Sequence, residues 1–217
     1  MNARTARQID RAQPDLTPGE KNLRTLEHLG SSSLISDVSQ YTLNNLQKSY
    51  AQLDQGTVEQ IVDILLSSDR KYIAGFRGTA CCAQYMASKL LFLTPHVVPI
   101  LHADATAVEN LLDITERDCL FLYSFPRYSE IARPLMEIAR ESGAKVILMT
   151  DRRTSPLANK ADVVVTAQVD GLGFTNSYVA PLSLSEVILL SVSGRRDVTD
   201  SKRFNRIDSV MDREKLY

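Results

Sequence analysis

Residues 119–166 read CLFLYSFPRYSEIARPLMEIARESGAKVILMTDRRTSPLANKADVVVT. Three short apolar runs stand out in this stretch: Cys119 to Ser124 (CLFLYS), Lys145 to Thr150 (KVILMT) and Asp162 to Thr166 (DVVVT). Between the first two lies a helical stretch that closes at Ser142-Gly143, where a glycine can take the left-handed cap of a helix. Strand interiors with almost no charge need burial on both faces, and a parallel sheet covered by helices supplies it. The same pattern extends outward. Lys71 to Gly75 (KYIAG) and His96 to Leu101 (HVVPIL) supply two more strands, with a helix from Thr79 to Leu93 between them and a short one from Ala105 to Leu112 after the second. Pro99 cannot donate to a ladder, which places HVVPIL at a sheet edge or makes it an interrupted strand. Thr57 opens a helix with Val58, Ile61, Val62, Ile64 and Leu65 on one stripe, after a turn from Asp54 to Gly56, and a last helix is expected from Ser177 to Val192. The expected fold is α/β, a three-layer sandwich with a five-stranded, mostly parallel sheet flanked by helices.

The flanks differ in character. Residues 1–30 are polar and charged, too poor in apolar surface to offset their own ordering entropy, and predict a flexible arm. The central domain spans 31–193. It begins with an amphipathic helix from Ser32 to Leu53 carrying Leu34, Ile35, Val38, Tyr41, Leu46 and Tyr50, for which Ser31 to Ser33 offer N-caps. That helix has a second apolar face to cover, which predicts self-association. Residues 194–217, GRRDVTDSKRFNRIDSVMDREKLY, read as a charged surface tail.

Composition narrows the function. Lys and Arg total 25 against 26 Asp and Glu, a net charge of −1 in 217 residues, so no global positive field draws the chain to nucleic acid or anionic lipid. Cys81, Cys82 and Cys119 match neither a disulfide framework nor a zinc site, which points to a reducing, cytoplasmic setting. No stretch approaches the roughly 18 uninterrupted apolar residues of a membrane span.

In an open parallel sheet, ligands bind beyond the carboxyl ends of the strands, near helix N-termini whose amides favour anions. The first such loop is Gly75 to Ala80 (GFRGTA), in which glycines permit close approach and Thr79 offers a hydroxyl, though glycine also punctuates turns for structural reasons alone. A second loop, Ser124 to Ser129 (SFPRYS), combines two hydroxyls, a phenol and the fork-shaped donors of Arg127. Ser129 can equally be a helix N-cap, and Arg127 a solvated surface residue. The third polar turn, Thr150 to Ala158, holds a Ser155-Pro156 pair that reads as a helix start. An enzyme acting on such a ligand needs a general base, for which His102, Asp104 and Glu109 are candidates, each also an ordinary surface residue. His28 and His96 complete the histidines and form no metal-ligand spacing with a carboxylate. No catalytic residue, metal or cofactor is expected. Cys81 and Cys82, at a helix start, are either a reactive thiol site or small core residues.

The runs YIAGFRGTACCAQYMASKL (72–90), CLFLYSFPRYSEIARPLMEIARESGAKVILMTD (119–151) and SPLANKADVVV (155–165) resemble the sugar isomerase (SIS) domain of the RpiR family of bacterial transcriptional regulators. The resemblance runs from about Ser31 to the C-terminus and implies a five-stranded parallel sheet. It also implies binding of a phosphorylated sugar or related carbohydrate derivative, assembly as a homodimer or homotetramer, and effector sensing in the control of carbohydrate metabolism genes. The alternative is a phosphosugar isomerase or related enzyme of the same fold. The family's first-loop serine falls on Thr79, beside Gly78. Its second loop reads Ser-x-Ser-Gly-x-Thr or Ser, whose ends match Ser124 and Ser129, while Pro126 and Arg127 replace the middle serine and glycine. This departure resembles a branch of the regulators reading Ser-Phe-Pro-Arg-Tyr-Ser. The ligand-binding set implied is therefore Gly78, Thr79, Ser124, Arg127, Tyr128 and Ser129, with Arg127 supplying the donor that the replaced serine lacks. Regulators of this family carry a helix-turn-helix domain before the sensor. Nothing ahead of the first helix here has two apolar-periodic helices joined by a tight turn, so DNA contact is expected only through a domain outside this chain. A truncated regulator and a stand-alone sensor both remain open.

Overall fold

Side chains alternate across a strand, so a sheet buried on both faces sorts its odd and even positions into two cores. That sorting organises this molecule, whose computed structural model describes residues 17, 19–20, 22–23, 25, 34–173, 175–195 and 201–215. The strands are β1 (Lys71–Gly75), β2 (Val97–Ile100), β3 (Cys119–Tyr123), β4 (Lys145–Thr150) and β5 (Val163–Thr166), all parallel, in the order β2-β1-β3-β4-β5. On one face Ile73, Phe121, Tyr123, Ile147, Met149 and Val165 meet Ile61, Leu65, Met86, Leu90, Leu184 and Ile188. These helical residues belong to α2 (Gln55–Ser67), α3 (Ala80–Leu93) and α6 (Val179–Arg195). On the other, Tyr72, Ala74, Leu120, Leu122, Val146 and Leu148 meet Leu111, Leu135, Met136 and Ala139, from the segment after α4 (Ala105–Glu109) and from α5 (Ala132–Glu141). The five-stranded α/β sandwich expected from the sequence is the fold observed, and Pro99 lies on the edge strand β2.

Several local expectations need correction. Helix α2 begins at Gln55, because Asp54 is its N-cap: the Asp54 carboxylate accepts from the Thr57 amide at 2.8 Å and from its hydroxyl at 2.7 Å. Thr57, expected to open the helix, is its third residue and the one that Asp54 caps. Helix α4 stops at Glu109, and residues through Asp113 continue as turn. The Ser155-Pro156 pair starts no α-helix; it lies in a turn leading to a single 3-10 turn, Ala158–Lys160. Gly143 takes φ +77° at the end of α5, as a left-handed cap requires. The tail after Ser193 is helical over residues 201–214, as α7 (Ser201–Glu214), whose Arg203 guanidinium donates to the carbonyls of Leu91 and Phe92 at the end of α3.

Helix α1 (Leu34–Gln52) buries polar residues. The serines offered as its caps and most of the arm before it lie outside the described residues. Its buried residues are Asn45 and Ser49, while Leu34, Ile35, Val38, Leu43 and Tyr50 are exposed, Ile35 to 83%. The inward polar residues serve the end of β5 and the segment between β5 and α6. Asn45 Nδ2 donates to the Asp170 carbonyl at 2.6 Å, the Gln168 amide donates to Ser49 Oγ at 2.8 Å, and Thr166 Oγ1 donates to Gln52 Oε1 at 2.6 Å. Thr25, one of the helical residues between 19 and 25, donates its hydroxyl to the Leu172 carbonyl. Buried backbone polar groups need partners, and in this loop α1 supplies them.

Candidate functional site

Strand order reverses between β1 and β3: from β1 the chain goes out to β2 on one side and comes back to β3 on the other. In doubly wound sheets a crevice opens at that switch point, beyond the carboxyl ends of the two strands. The first and second loops follow these neighbouring strands, whose ends are in register at Gly75 and Tyr123. Both loops open a helix on the same sheet edge, and that juxtaposition is the candidate site.

In the first loop Thr79 holds the turn together. Its Oγ1 accepts from the Phe76 amide at 2.8 Å and donates to the Phe76 carbonyl at 2.9 Å, and the residue is buried. Its hydrogen is therefore committed inside the loop, and Thr79 acts here through the shape it imposes. Arg77, at φ +57°, is exposed beside it. In the second loop Ser124 is buried, and its Oγ has no hydrogen-bond partner. A buried hydroxyl left unpaired costs about 1–3 kcal/mol, a cost usually retained where a ligand or water completes the bonding. Arg127 is exposed at φ +67°, and Ser129 is half-buried with its carbonyl accepting from the Ala132 amide. Ile131, not Ser129, occupies the N-cap position of α5. Tyr128 turns towards the third loop, donating to Asp151 Oδ1 at 2.8 Å, and Thr150 Oγ1 contacts the same oxygen at 3.2 Å. That third loop also contains a buried hydroxyl without a partner, Ser155 Oγ.

Two residues that sequence reasoning passed over complete the crevice. Tyr178 lies just before α6, and its ring rests on Gly78: a Cβ built on that glycine falls 2.7 Å from Tyr178 Oη. Any side chain at 78 would force the ring to shift. The same ring meets Phe125 edge-on at 6.0 Å, and Asn176 reaches the Pro126 carbonyl through Nδ2 at 3.4 Å. The segment after β5 is thus fastened to both phosphate-loop candidates. Its composition, AQVDGLGFTNSY, carried no motif that singled out Tyr178; only the fold brings it to Gly78.

The candidate bases lie elsewhere. His102, Asp104 and Glu109 are all exposed on the loop and helix after β2. Because β2 is the outer neighbour of β1, the first loop stands between them and the second loop. Cys82 and Cys119 are buried, and burial pushes both thiols up, Cys119 to about 11. Cys81 is exposed at the start of α3, with its Sγ 3.1 Å from the Gly78 carbonyl. Among the described residues no group of three His, Cys, Asp or Glu side chains is placed to hold a metal, and no helix is long and apolar enough to cross a membrane.

Comparison with known proteins agrees with this geometry. The family model described as SIS domain matches residues 64–191. No curated protein matches the chain. Among solved structures, the sugar isomerase domain of an RpiR transcription factor from Sphaerobacter thermophilus superposes with a TM-score of 0.78 at 21% identity, covering 82% of this chain and 99% of that one. The Vibrio vulnificus NanR protein, complexed with ManNAc-6P, gives 0.70 at 15% identity over 96% of this chain and 78% of its own. A Methanococcus jannaschii protein for which a 3-hexulose-6-phosphate isomerase function is inferred gives 0.62 at 14% identity, covering 78% and 95%. The fold is therefore shared by regulators and by isomerase-like proteins.

Proposed function

The chain belongs to the SIS domain family, and we propose that within it the chain is the phosphosugar-sensing part of an RpiR-type transcriptional regulator of carbohydrate metabolism, working in the cytoplasm as a homo-oligomer. The observation that carries the ligand is the buried, unpartnered Ser124 hydroxyl at the switch point, in the same loop as the exposed Arg127. A phosphate oxygen completes that hydroxyl's bonding, and the guanidinium supplies charge-assisted donors. The amides opening α3 and the Ser129 hydroxyl add further donors, and Gly78 allows the approach.

Sensing is favoured over isomerisation by where the polar groups are. An isomerase needs a base at the sugar's carbonyl carbon, within about 2.6–3.2 Å of the proton it removes. His102, Asp104 and Glu109 sit on the outer side of the first loop, and the crevice carboxylate Asp151 is held by Tyr128 and Thr150. Meanwhile the segment that walls the crevice is tied through Asn45, Ser49 and Gln52 to α1. A ligand that favours one placement of that segment shifts the placement of α1, which is the coupling a sensor needs. The exposed apolar residues of α1 support self-association through that helix.

A thermal-shift panel of pentose and hexose phosphates tests the reading. A ligand at one hundred times its dissociation constant stabilises the fold by about 2.7 kcal/mol. At about 2–4 °C per kcal/mol for a domain of this size, the midpoint should rise by several degrees. Incubation of the stabilising sugar with the protein, followed by NMR, should show no interconversion. Turnover would make the chain an enzyme, and no shift with any phosphosugar would remove the ligand class.

A further inference from the structure

The segment that walls the crevice carries a polar group that no phosphate-loop pattern accounts for. Tyr178 is half-buried, with its ring on Gly78 of the first loop, its edge towards Phe125 of the second, and Asn176 beside it bonded to the Pro126 carbonyl. The phenol oxygen therefore lies between the two loops, over the N-terminal end of α3, where an anion is favoured. Resting on the reading of the crevice as a phosphosugar site, we propose that Tyr178 is a ligand-contacting residue whose Oη donates a hydrogen bond to an oxygen of the bound phosphosugar and sets how deeply the ligand enters between the loops.

Two features suit the phenol to this role. Burial raises its pKa, against the opposing influence of the Asn176 amide and the Arg127 charge, so it stays protonated and a donor throughout the physiological range. The ring fills the space that a side chain at 78 would occupy: the position of a Gly78 Cβ is 2.7 Å from Oη and 2.8 Å from the ring carbon Cε2. A ligand oxygen must come to the hydroxyl from the open side, where the second loop presents Arg127 and Ser129. This makes Tyr178 a gauge of ligand size as well as a donor, and it explains a requirement for glycine at 78 that the turn alone does not impose.

Calorimetric titration with the tightest-binding member of a hexose and pentose phosphate panel, and NMR titration with inorganic phosphate, decide the matter for the parent, Tyr178→Phe, Gly78→Ala and Arg127→Ala. Tyr178→Phe keeps the ring and removes only the donor, so circular dichroism should show an unchanged fold while sugar-phosphate affinity falls about tenfold, the worth of one hydrogen bond. Gly78→Ala should displace the ring and lower affinity at least as much, and in the Tyr178→Phe background it should add less than it does alone. If Tyr178→Phe binds as tightly as the parent while Arg127→Ala is weakened, the phenol is only a packing residue: the proposal is overturned and the phosphosugar reading stands. If neither variant changes the affinity, or the parent binds no probe, the reading of the crevice falls and the proposal with it.

Discussion

Arg127 stands in the left-handed region, which costs a side-chain-bearing residue about 1–2 kcal/mol. The loop pattern that this stretch resembles usually has glycine at this position, where a left-handed φ carries no strain; arginine adds that strain together with a guanidinium. Strain of this kind persists where function over-determines it. Arg127→Gly should accordingly leave the melting midpoint unchanged or slightly raised, yet weaken phosphosugar binding about ten- to a hundredfold, the range expected for a lost charge-assisted bond. Binding as tight as the parent's would show that the guanidinium makes no ligand contact. A second residue governs stability instead. Asp118 is 1% exposed at its side chain; burial pushes its pKa up, but hydrogen bonds from Thr115 and Arg70 outweigh this and hold the carboxyl below its ordinary range. Its folded pKa lies below the unfolded one, so its contribution is fully present above the unfolded value, near 4, and is lost as pH falls through the folded value. Asp118→Asn should destabilise the domain by about 1–3 kcal/mol at pH 7, and by less as the pH falls below 4, as read from urea melts across pH. An equal loss at every pH would refute the linkage.

At the scale of elements, the informative one is α1. Leu34, Ile35 and Val38 are exposed together on the first turns of α1, ahead of the turns that bury Asn45 and Ser49, and they call for an apolar partner; a second copy of the chain presents the same patch. Ile35→Asp with Val38→Asp should convert the assembly to a smaller species in sedimentation at tens of micromolar, without loss of helical signal. An unchanged sedimentation coefficient, or a parent that is already a monomer, would exclude this face. The inner side predicts differently. Ser49→Ala leaves the Gln168 amide without its partner, so it should cost about 1–3 kcal/mol and speed hydrogen exchange between β5 and α6, where Tyr178 is anchored. Protection of that segment equal to the parent's would mean that α1 does not hold it.

For the molecule as a whole, 25 basic against 26 acidic side chains leave no field to gather phosphate backbones, so duplex DNA should bind this 217-residue chain only weakly at physiological salt. Nanomolar, sequence-specific binding in a fluorescence-anisotropy titration would overturn that. The same linear sequence was enough to determine the sheet and its helices. Runs such as CLFLY and KVILM must be buried on both faces whatever surrounds them, and Pro99 excludes its strand from the interior. It also placed glycine, hydroxyl and arginine at the ends of two strands, because these are local chemistry. Three things were decided only in three dimensions. Thr79's hydroxyl turns inward because the Phe76 amide and carbonyl lie within its reach. Helix α1 buries Asn45 and Ser49 because the loop after β5, 125 residues away in sequence at the Asn45–Asp170 contact, needs polar partners. And Tyr178 reaches Gly78 across a separation of a hundred positions because β5 ends on the same sheet edge as β1. Periodicity and propensity act over a few residues, so they determine elements; which polar group meets which depends on strand order, and strand order is a property of the packed chain alone.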